Sequence, residues 1–112
     1  MKIIKFYSKY SSLIKTNTKT QTIRLWQKCT LTVNEIITLD CGVYTFQAKI
    51  VSVEQKLYSD LTDETALFDG FKCKEDLKMA LQRTYKNIHA NSNVFVIQWV
   101  LQDITPRCCD SV

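Results

Sequence analysis

The strongest limit on the fold comes from residues 44–50, where apolar and polar side chains alternate. The apolar positions are Tyr44, Phe46, Ala48 and Ile50. A period of two is typical of a β-strand with one buried face. The Asp40-Cys41-Gly42 segment directly before it is a hairpin signal, so we expect this strand to pair with an antiparallel neighbour. Beyond it the apolar positions shift to Val51 and Val53, which predicts a β-bulge near Ile50.

The remaining segments complete a set of six predicted strands and three predicted helices. The other strands are expected at residues 2–7, 20–26, 30–33, 36–39 and 94–101, the last apolar on both faces and therefore central. Helices are expected after the capping residues Ser8 and Thr62, the second ending at Gly70, and over residues 74–88. Short links between strands favour antiparallel pairing. We therefore predict an α+β fold, a small and mostly antiparallel β-barrel flanked by about three helices, in a single domain of residues 1–112.

The scarcity of glycine excludes several classes of enzyme. Only Gly42 and Gly70 are present, so neither a GxGxxG nor a GxxxxGK phosphate-binding loop can be formed. We expect no nicotinamide cofactor and no P-loop nucleotide. His89 is the single histidine, which excludes a His-paired triad and a multi-histidine metal site, and most acidic residues are explained by positions in the first turns of helices. The sequence therefore predicts neither a cofactor nor a metal.

The basic residues are concentrated at the start of the chain. Residues 1–34 contain seven lysines and arginines and no acidic residue, although the whole chain has a net charge of only +4. Such an asymmetry is typical of a face that attracts phosphate or another polyanion. A solvated basic surface without a partner explains it equally well.

The five cysteines indicate a reducing compartment. They are spaced without a CxxC motif, and Cys108 and Cys109 are adjacent near the C-terminus. We expect reduced thiols, with a Cys29–Cys41 disulfide as the alternative in an extreme thermophile. The N-terminal residues lack the apolar core of a signal peptide, and no segment is long enough to span a bilayer. A cytoplasmic protein without a membrane partner is expected.

The polar segment at residues 16–24, TNTKTQTIR, is the best candidate for a functional site. Arg24 offers a planar fork of donors suited to a phosphate or a carboxylate, and Lys19 offers a compact charge. A desolvated lysine has a lowered pKa and can take a proton from a threonine hydroxyl. The alternative is a basic hairpin with exposed threonines.

Residues 19–24, K-T-Q-T-I-R, match the K-T-x-T-I-R form of the signature of ASCH domains, and the chain resembles this family of PUA-like barrels. The resemblance covers most of the chain. It includes the helix before the motif, Leu61-Thr62-Asp63-Glu64, Asp69-Gly70-Phe71 and the final strand. It implies a PUA-like barrel that binds RNA or a modified nucleoside in a cleft beside the motif. RNA binding, RNA cleavage and deacetylation of acetylated cytidine have been assigned to members of the family.

The small amidohydrolases of that family suggest three catalytic roles. The resemblance implies a general base at Lys19, a nucleophile at Thr22 and a proton donor at Asp69, while Arg24 would bind the substrate or neutralise its charge. Two positions depart from the family pattern. Asn17 stands where a glycine is usual, and Asp69 is one methylene shorter than the usual glutamate. Because an ideal strand would point Lys19 and Thr22 to opposite faces, the mechanism requires the strand to begin after Lys19.

Binding of RNA or a modified nucleoside is the function we predict. The residues expected to contact the nucleic acid are Lys5, Lys9, Lys15, Lys19, Arg24 and Trp26. Trp26 could stack on a base, although a buried packing role is the more common one for tryptophan. The alternatives are an amidohydrolase acting on acetylated cytidine, a ribonuclease, and a protein-interaction module whose basic face meets an acidic protein.

Overall fold

The computed structural model describes the backbone of residues 2–106 and the side chains of residues 2–102. Its strands are β1 (Ile3–Lys5), β2 (Gln21–Arg24), β3 (Ile36–Asp40), β4 (Tyr44–Leu57) and β5 (Asn93–Pro106). Its helices are α1 (Ser11–Lys15), α2 (Asp63–Phe68) and α3 (Lys74–Thr84), with short 3-10 turns at Ser8–Tyr10 and Tyr58–Asp60. The predicted α+β architecture with three helices is therefore confirmed.

The five strands form one sheet that curls into a half-barrel, in the order β1-β3-β4-β5-β2. Neighbours pair antiparallel except for β1 and β3, which run parallel. The long pair β4–β5 forms the centre, and register shifts in β4 lie between Gln47 and Ala48 and between Ile50 and Ser52. The second shift confirms the predicted bulge near Ile50. The order leaves β1 and β2 as the two edges of the sheet.

Apolar residues are buried on both faces of the sheet. Inside the curl, Phe46 and Trp99 pack with Ile37 and Ile50 in one cluster. On the other face, alternate residues of β2 and β5 pack against α2 and α3 in a second cluster, which includes Ile23, Val94, Val96, Leu77 and Leu81. Because β5 is covered on both sides, its segment 94–101 is apolar on both faces, as expected for a central strand.

Two sequence-based predictions of local structure were wrong. Residues 30–33 form no strand, because a local turn replaces sheet pairing there: Asn34 has a φ of 75°, and the Glu35 carboxylate accepts a hydrogen bond from the Thr32 amide. Leu31 is nevertheless buried, which explains why the segment resembles a strand. The long helix ends at Thr84 rather than Ile88, because Tyr85 adopts an extended conformation.

The cysteines within the described side chains, Cys29, Cys41 and Cys73, are free thiols. Cys108 and Cys109 lie outside the described residues. Across residues 2–106, no helix combines the length and apolar character needed to cross a membrane.

Cys41 should be the least reactive of these three thiols. Its side chain is completely buried, and burial raises the pKa of the Cys41 thiol to about 11 from an ordinary 9.0. At pH 8 this leaves about 100-fold less thiolate, which is the reactive form. Brief treatment of the native protein with iodoacetamide, followed by peptide mass spectrometry, should label Cys29 and Cys73 before Cys41. Equal labelling of Cys41 would contradict its burial.

The same shift gives a pH dependence with a defined sign. In the unfolded chain this thiol ionises near pH 9, whereas in the folded protein it keeps its proton to about pH 11. The contribution of Cys41 to the unfolding free energy therefore falls as the pH rises from 9 to 11.

Candidate functional site

The loop before β2 frees Lys19 from the alternation of the strand. Asn17 adopts a left-handed conformation with a φ of 60°, which asparagine tolerates better than most residues. The amides of Thr18 and Lys19 then both donate to the Leu13 carbonyl, at 2.9 and 3.0 Å. Because β2 begins only at Gln21, the side chain of Lys19 need not point away from Thr22. This is the condition that the catalytic arrangement required.

Lys19 forms a buried ion pair with Asp69. Its ammonium lies 3.1 Å from Asp69 Oδ2 and donates to the Asp69 backbone carbonyl at 3.2 Å. The two residues are only 3% and 5% exposed. Gln21 extends this network, because its amide donates to Asp69 Oδ1 at 3.4 Å and to the Thr65 carbonyl at 2.9 Å. The end of α2 is thus tied to the start of β2 by side chains.

Gly70 permits this close approach. It has a φ of +93°, which ends α2 in the left-handed region as predicted for a glycine cap. A Cβ at this position would lie 3.5 Å from Lys19 Cβ and 3.4 Å from a methyl carbon of Leu13. The absence of a side chain therefore leaves the backbone after Asp69 in contact with the Lys19 loop.

Burial shifts the pKa values of the pair toward their neutral forms. Removal from water lowers the pKa of the Lys19 ammonium, and the nearby Arg24 acts in the same direction, while Asp69 opposes the shift. Burial likewise raises the pKa of the Asp69 carboxyl, against the attraction of Lys19. Low dielectric disfavours each charged form, which is why the two groups shift in opposite directions.

Arg24 holds the Thr22 hydroxyl and bridges the open side of the half-barrel. Its Nε donates to Thr22 Oγ1 at 2.9 Å, and a terminal guanidinium nitrogen donates to the Lys5 carbonyl at 2.7 Å. Its guanidinium carbon lies 4.8 Å from the centre of the Phe6 ring. Since Lys5 belongs to β1 and Arg24 to β2, this side chain joins the two edge strands.

These groups line one cavity of about 320 Å³, located between α3, β2 and the segment that follows β1. Its polar side chains include Lys19, Thr22, Arg24 and Asp69, and its aromatic side chains are Phe6, Tyr7, Tyr10, Phe71 and Tyr85. The Lys19 ammonium lies 5.1 Å from the centre of the Tyr10 ring. The three residues predicted to be catalytic therefore share a cavity. Lys19 bonds to Asp69 within it, whereas Thr22 bonds to Arg24.

The other residues predicted to bind nucleic acid are distributed around the molecule. Lys5 lines the same cavity, and Lys9 lines a neighbouring one. The Lys15 ammonium lies 5.6 Å from the centre of the Tyr44 ring. Trp26 packs against the core inside the curl. Neither Lys15 nor Trp26 is among the residues that line these two cavities.

Sequence reasoning missed two residues of the site. Gln21 was only the variable position of the motif, although it bonds to α2 and also accepts from Gln98 at 3.2 Å. Tyr85 was assigned to the apolar stripe of the long helix, whereas the early end of that helix places it at the cavity. A fully buried polar residue inside a strand is a signal that the sequence contains but does not expose. Within residues 2–106, no cluster of three metal-ligating side chains occurs.

The half-barrel is similar to known structures. The crystal structure of an ASCH domain from Lactobacillus crispatus superimposes with a TM-score of 0.68, covering 89% of this chain and 79% of that one at 12% identity. The fold is that of an ASCH domain. This confirms at the level of fold the resemblance inferred from residues 19–24.

Two further structures share the ASCH fold of this chain. Protein EF3133 from Enterococcus faecalis, assigned to DUF984, has a TM-score of 0.71 and 11% identity, covering 98% of this chain and 85% of its own. The hypothetical protein PH0355 has a TM-score of 0.71 and 17% identity, covering 91% of this chain and 100% of its own. No protein-family model and no curated protein sequence matches the chain.

Proposed function

We propose that the cavity beside residues 19–24 binds the base of an RNA nucleotide or of a modified nucleoside. The observation that carries this proposal is the composition of the cavity: two buried pairs of polar groups, Lys19–Asp69 and Thr22–Arg24, face a set of aromatic rings. Nucleobases are bound by stacking on aromatic side chains and by hydrogen bonds to their polar edges. Both kinds of contact are available here within one small volume.

The size of the cavity supports a single base as the ligand. At about 320 Å³ it lies at the lower end of the range of small-molecule sites. An unstacked base of a single strand or a free nucleoside fits such a volume, whereas the intact duplex is recognised across a much wider surface.

The buried ion pair supports a functional role for the site. A lysine and a carboxylate lose hydration when buried, and their mutual attraction often fails to recover this cost. An apolar pair would fill the same space between α2 and β2 without that cost. Strongly perturbed ionisable groups in a cleft are typical of functional sites.

Titration with nucleosides tests the proposal. Adenosine, guanosine, cytidine, uridine and acetylated cytidine would be titrated into the protein by calorimetry and NMR. We expect at least one to bind, and Thr22→Val to weaken that binding about tenfold, because an isosteric methyl group replaces a buried hydroxyl. Thr30→Val is the matched control, since Thr30 is exposed and lies outside the cavity. Equal affinities of the two variants would overturn the assignment of Thr22 to the site.

A second candidate function is hydrolysis of an acylated base. It is favoured by the opposite pKa shifts of Lys19 and Asp69, which bring a neutral amine and a protonated carboxyl closer to neutral pH. In this reaction Thr22 Oγ would attack the acyl carbon as Lys19 takes its proton. Asp69 would protonate the leaving amine nitrogen, and water would then hydrolyse the threonine ester. Release of acetate from acetylated cytidine, lost in Thr22→Val and retained in Thr30→Val, would support it. Absence of turnover would leave binding as the function.

A further inference from the structure

A second cavity of about 430 Å³ adjoins the first. The two share five lining residues, which are Tyr7, Tyr10, Phe71, Ala80 and Thr84. The additional residues of the second cavity include Lys9 and Arg83. A molecule that occupies the first cavity can therefore extend past the shared aromatic wall toward two cationic side chains.

The charges of Lys9 and Arg83 are not neutralised by nearby carboxylates. No acidic residue lines the second cavity. In the described part of the chain the ion pairs join Lys2 to Glu35 and Lys19 to Asp69, so neither cation of the second cavity takes part in one. The Lys9 ammonium instead lies over two rings, 5.7 Å from the centre of Tyr7 and 5.4 Å from the centre of Tyr10.

The cations of the first cavity are already engaged. Lys19 is bonded to Asp69, and Arg24 donates to Thr22 and to the Lys5 carbonyl. An anionic group that entered the first cavity would also meet the Asp69 carboxylate. A group with negative charge is therefore better accommodated in the second cavity, where an exposed guanidinium and an exposed ammonium are available.

We propose that the second cavity is a phosphate subsite, in which Lys9 and Arg83 bind the phosphate of a nucleotide whose base occupies the first cavity. This inference rests on the function proposed above and narrows its ligand from nucleosides to nucleotides. A base and its phosphate are joined through a single ribose, which suits two cavities that share one wall. Arg83 supplies a planar fork that matches phosphate oxygens, and Lys9 supplies a mobile point charge.

Comparison of nucleosides with their phosphates tests the subsite. The probes are the four common ribonucleosides, their 5′- and 3′-monophosphates and the corresponding dinucleotides, titrated at low and high salt. We expect a monophosphate to bind about tenfold more tightly than its parent nucleoside at low salt, and this advantage to shrink at high salt. The Lys9→Gln/Arg83→Gln double variant should remove the advantage and leave the affinity for the nucleoside unchanged. The Lys28→Gln/Lys86→Gln double variant loses the same charge outside both cavities and should retain the advantage.

The outcomes separate this inference from the function on which it rests. Equal affinities of wild-type protein for nucleosides and monophosphates would overturn the subsite and leave nucleoside binding intact. An advantage of the phosphate that survives in the Lys9→Gln/Arg83→Gln variant would also overturn it. Binding of no nucleoside, monophosphate or dinucleotide would overturn both. A dinucleotide that binds more tightly than either monophosphate would identify the phosphate as part of an RNA strand.

Discussion

Replacing Asp69 with asparagine should lower the free energy of unfolding by about 3–5 kcal/mol, because it leaves the buried Lys19 ammonium without its counter-charge. Asparagine has nearly the same shape as aspartate, so the loss reports on charge rather than on a cavity. Urea denaturation followed by circular dichroism measures it. A loss below about 1 kcal/mol, the size typical of an exposed pair, would contradict the burial of the Lys19–Asp69 pair.

The pH dependence of this variant has a defined sign. Without Asp69, the folded-state pKa of Lys19 falls further below its ordinary value of 10.5, since burial then acts unopposed. Between the folded and the unfolded pKa the unfolded chain binds the additional proton, so stability rises with pH. The deficit of Asp69→Asn relative to wild type should therefore shrink as the pH is raised toward 10.5.

A double replacement serves as the control for the ion pair. Lys19→Met/Asp69→Leu substitutes apolar groups for both charges, which in buried pairs is often neutral or stabilising. We expect this variant to be more stable than Asp69→Asn and to have lost nucleoside binding. Recovery of stability without recovery of binding would assign the pair to function rather than to folding. A double variant as unstable as the single one would show that packing, not charge, limits this site.

Replacing Arg24 with glutamine should lower the free energy of unfolding by about 1.5–3 kcal/mol, the range expected for the loss of hydrogen bonds from a charged donor. Two contacts are lost: the bond to Thr22 Oγ1 and the bond that joins β2 to the Lys5 carbonyl of β1. Nucleoside binding should weaken as well, because the Thr22 hydroxyl is no longer held in place. Denaturant unfolding and calorimetric titration of the same samples measure both effects.

Two variants control for charge in the Arg24 experiment. Arg24→Lys keeps the charge but lacks the fork that reaches two acceptors, and we expect it to lose most of the same stability. Arg83→Gln removes an exposed arginine and should change stability by less than about 0.5 kcal/mol. If Arg24→Lys were as stable as wild type, charge rather than bridging would be the contribution of Arg24.

Much of the sheet could be predicted because local patterns determine it. The alternation at residues 44–50 and the apolar segment at residues 94–101 mark β4 and β5, and the shift in that alternation locates a bulge. The lengths of these strands were underestimated: β4 continues to Leu57 and β5 to Pro106. Their outer parts pair with each other, and such pairing replaces the apolar pattern as the source of regularity.

The candidate site was predictable only in part, for physical reasons. The K-T-x-T-I-R resemblance indicated Lys19, Thr22 and Arg24, and Asn17 does adopt the left-handed turn in place of glycine. The network through Gln21 was not foreseen, because it depends on how α2 packs beside β2, a contact between residues more than 40 positions apart. Similarly, a single extended residue at the end of α3 places Tyr85 at the cavity.

The open side of the half-barrel has a consequence for how quickly a ligand could be exchanged. In the described chain β1 and β2 are joined there by the Arg24 side chain and by no backbone hydrogen bond, and the first cavity lies at this seam. A ligand could therefore enter and leave by displacing side chains, on a timescale of nanoseconds to microseconds rather than that of unfolding. The β4–β5 ladder would keep its amide protons throughout. Kinetic access to the cavity is thus separate from the global stability of the sheet.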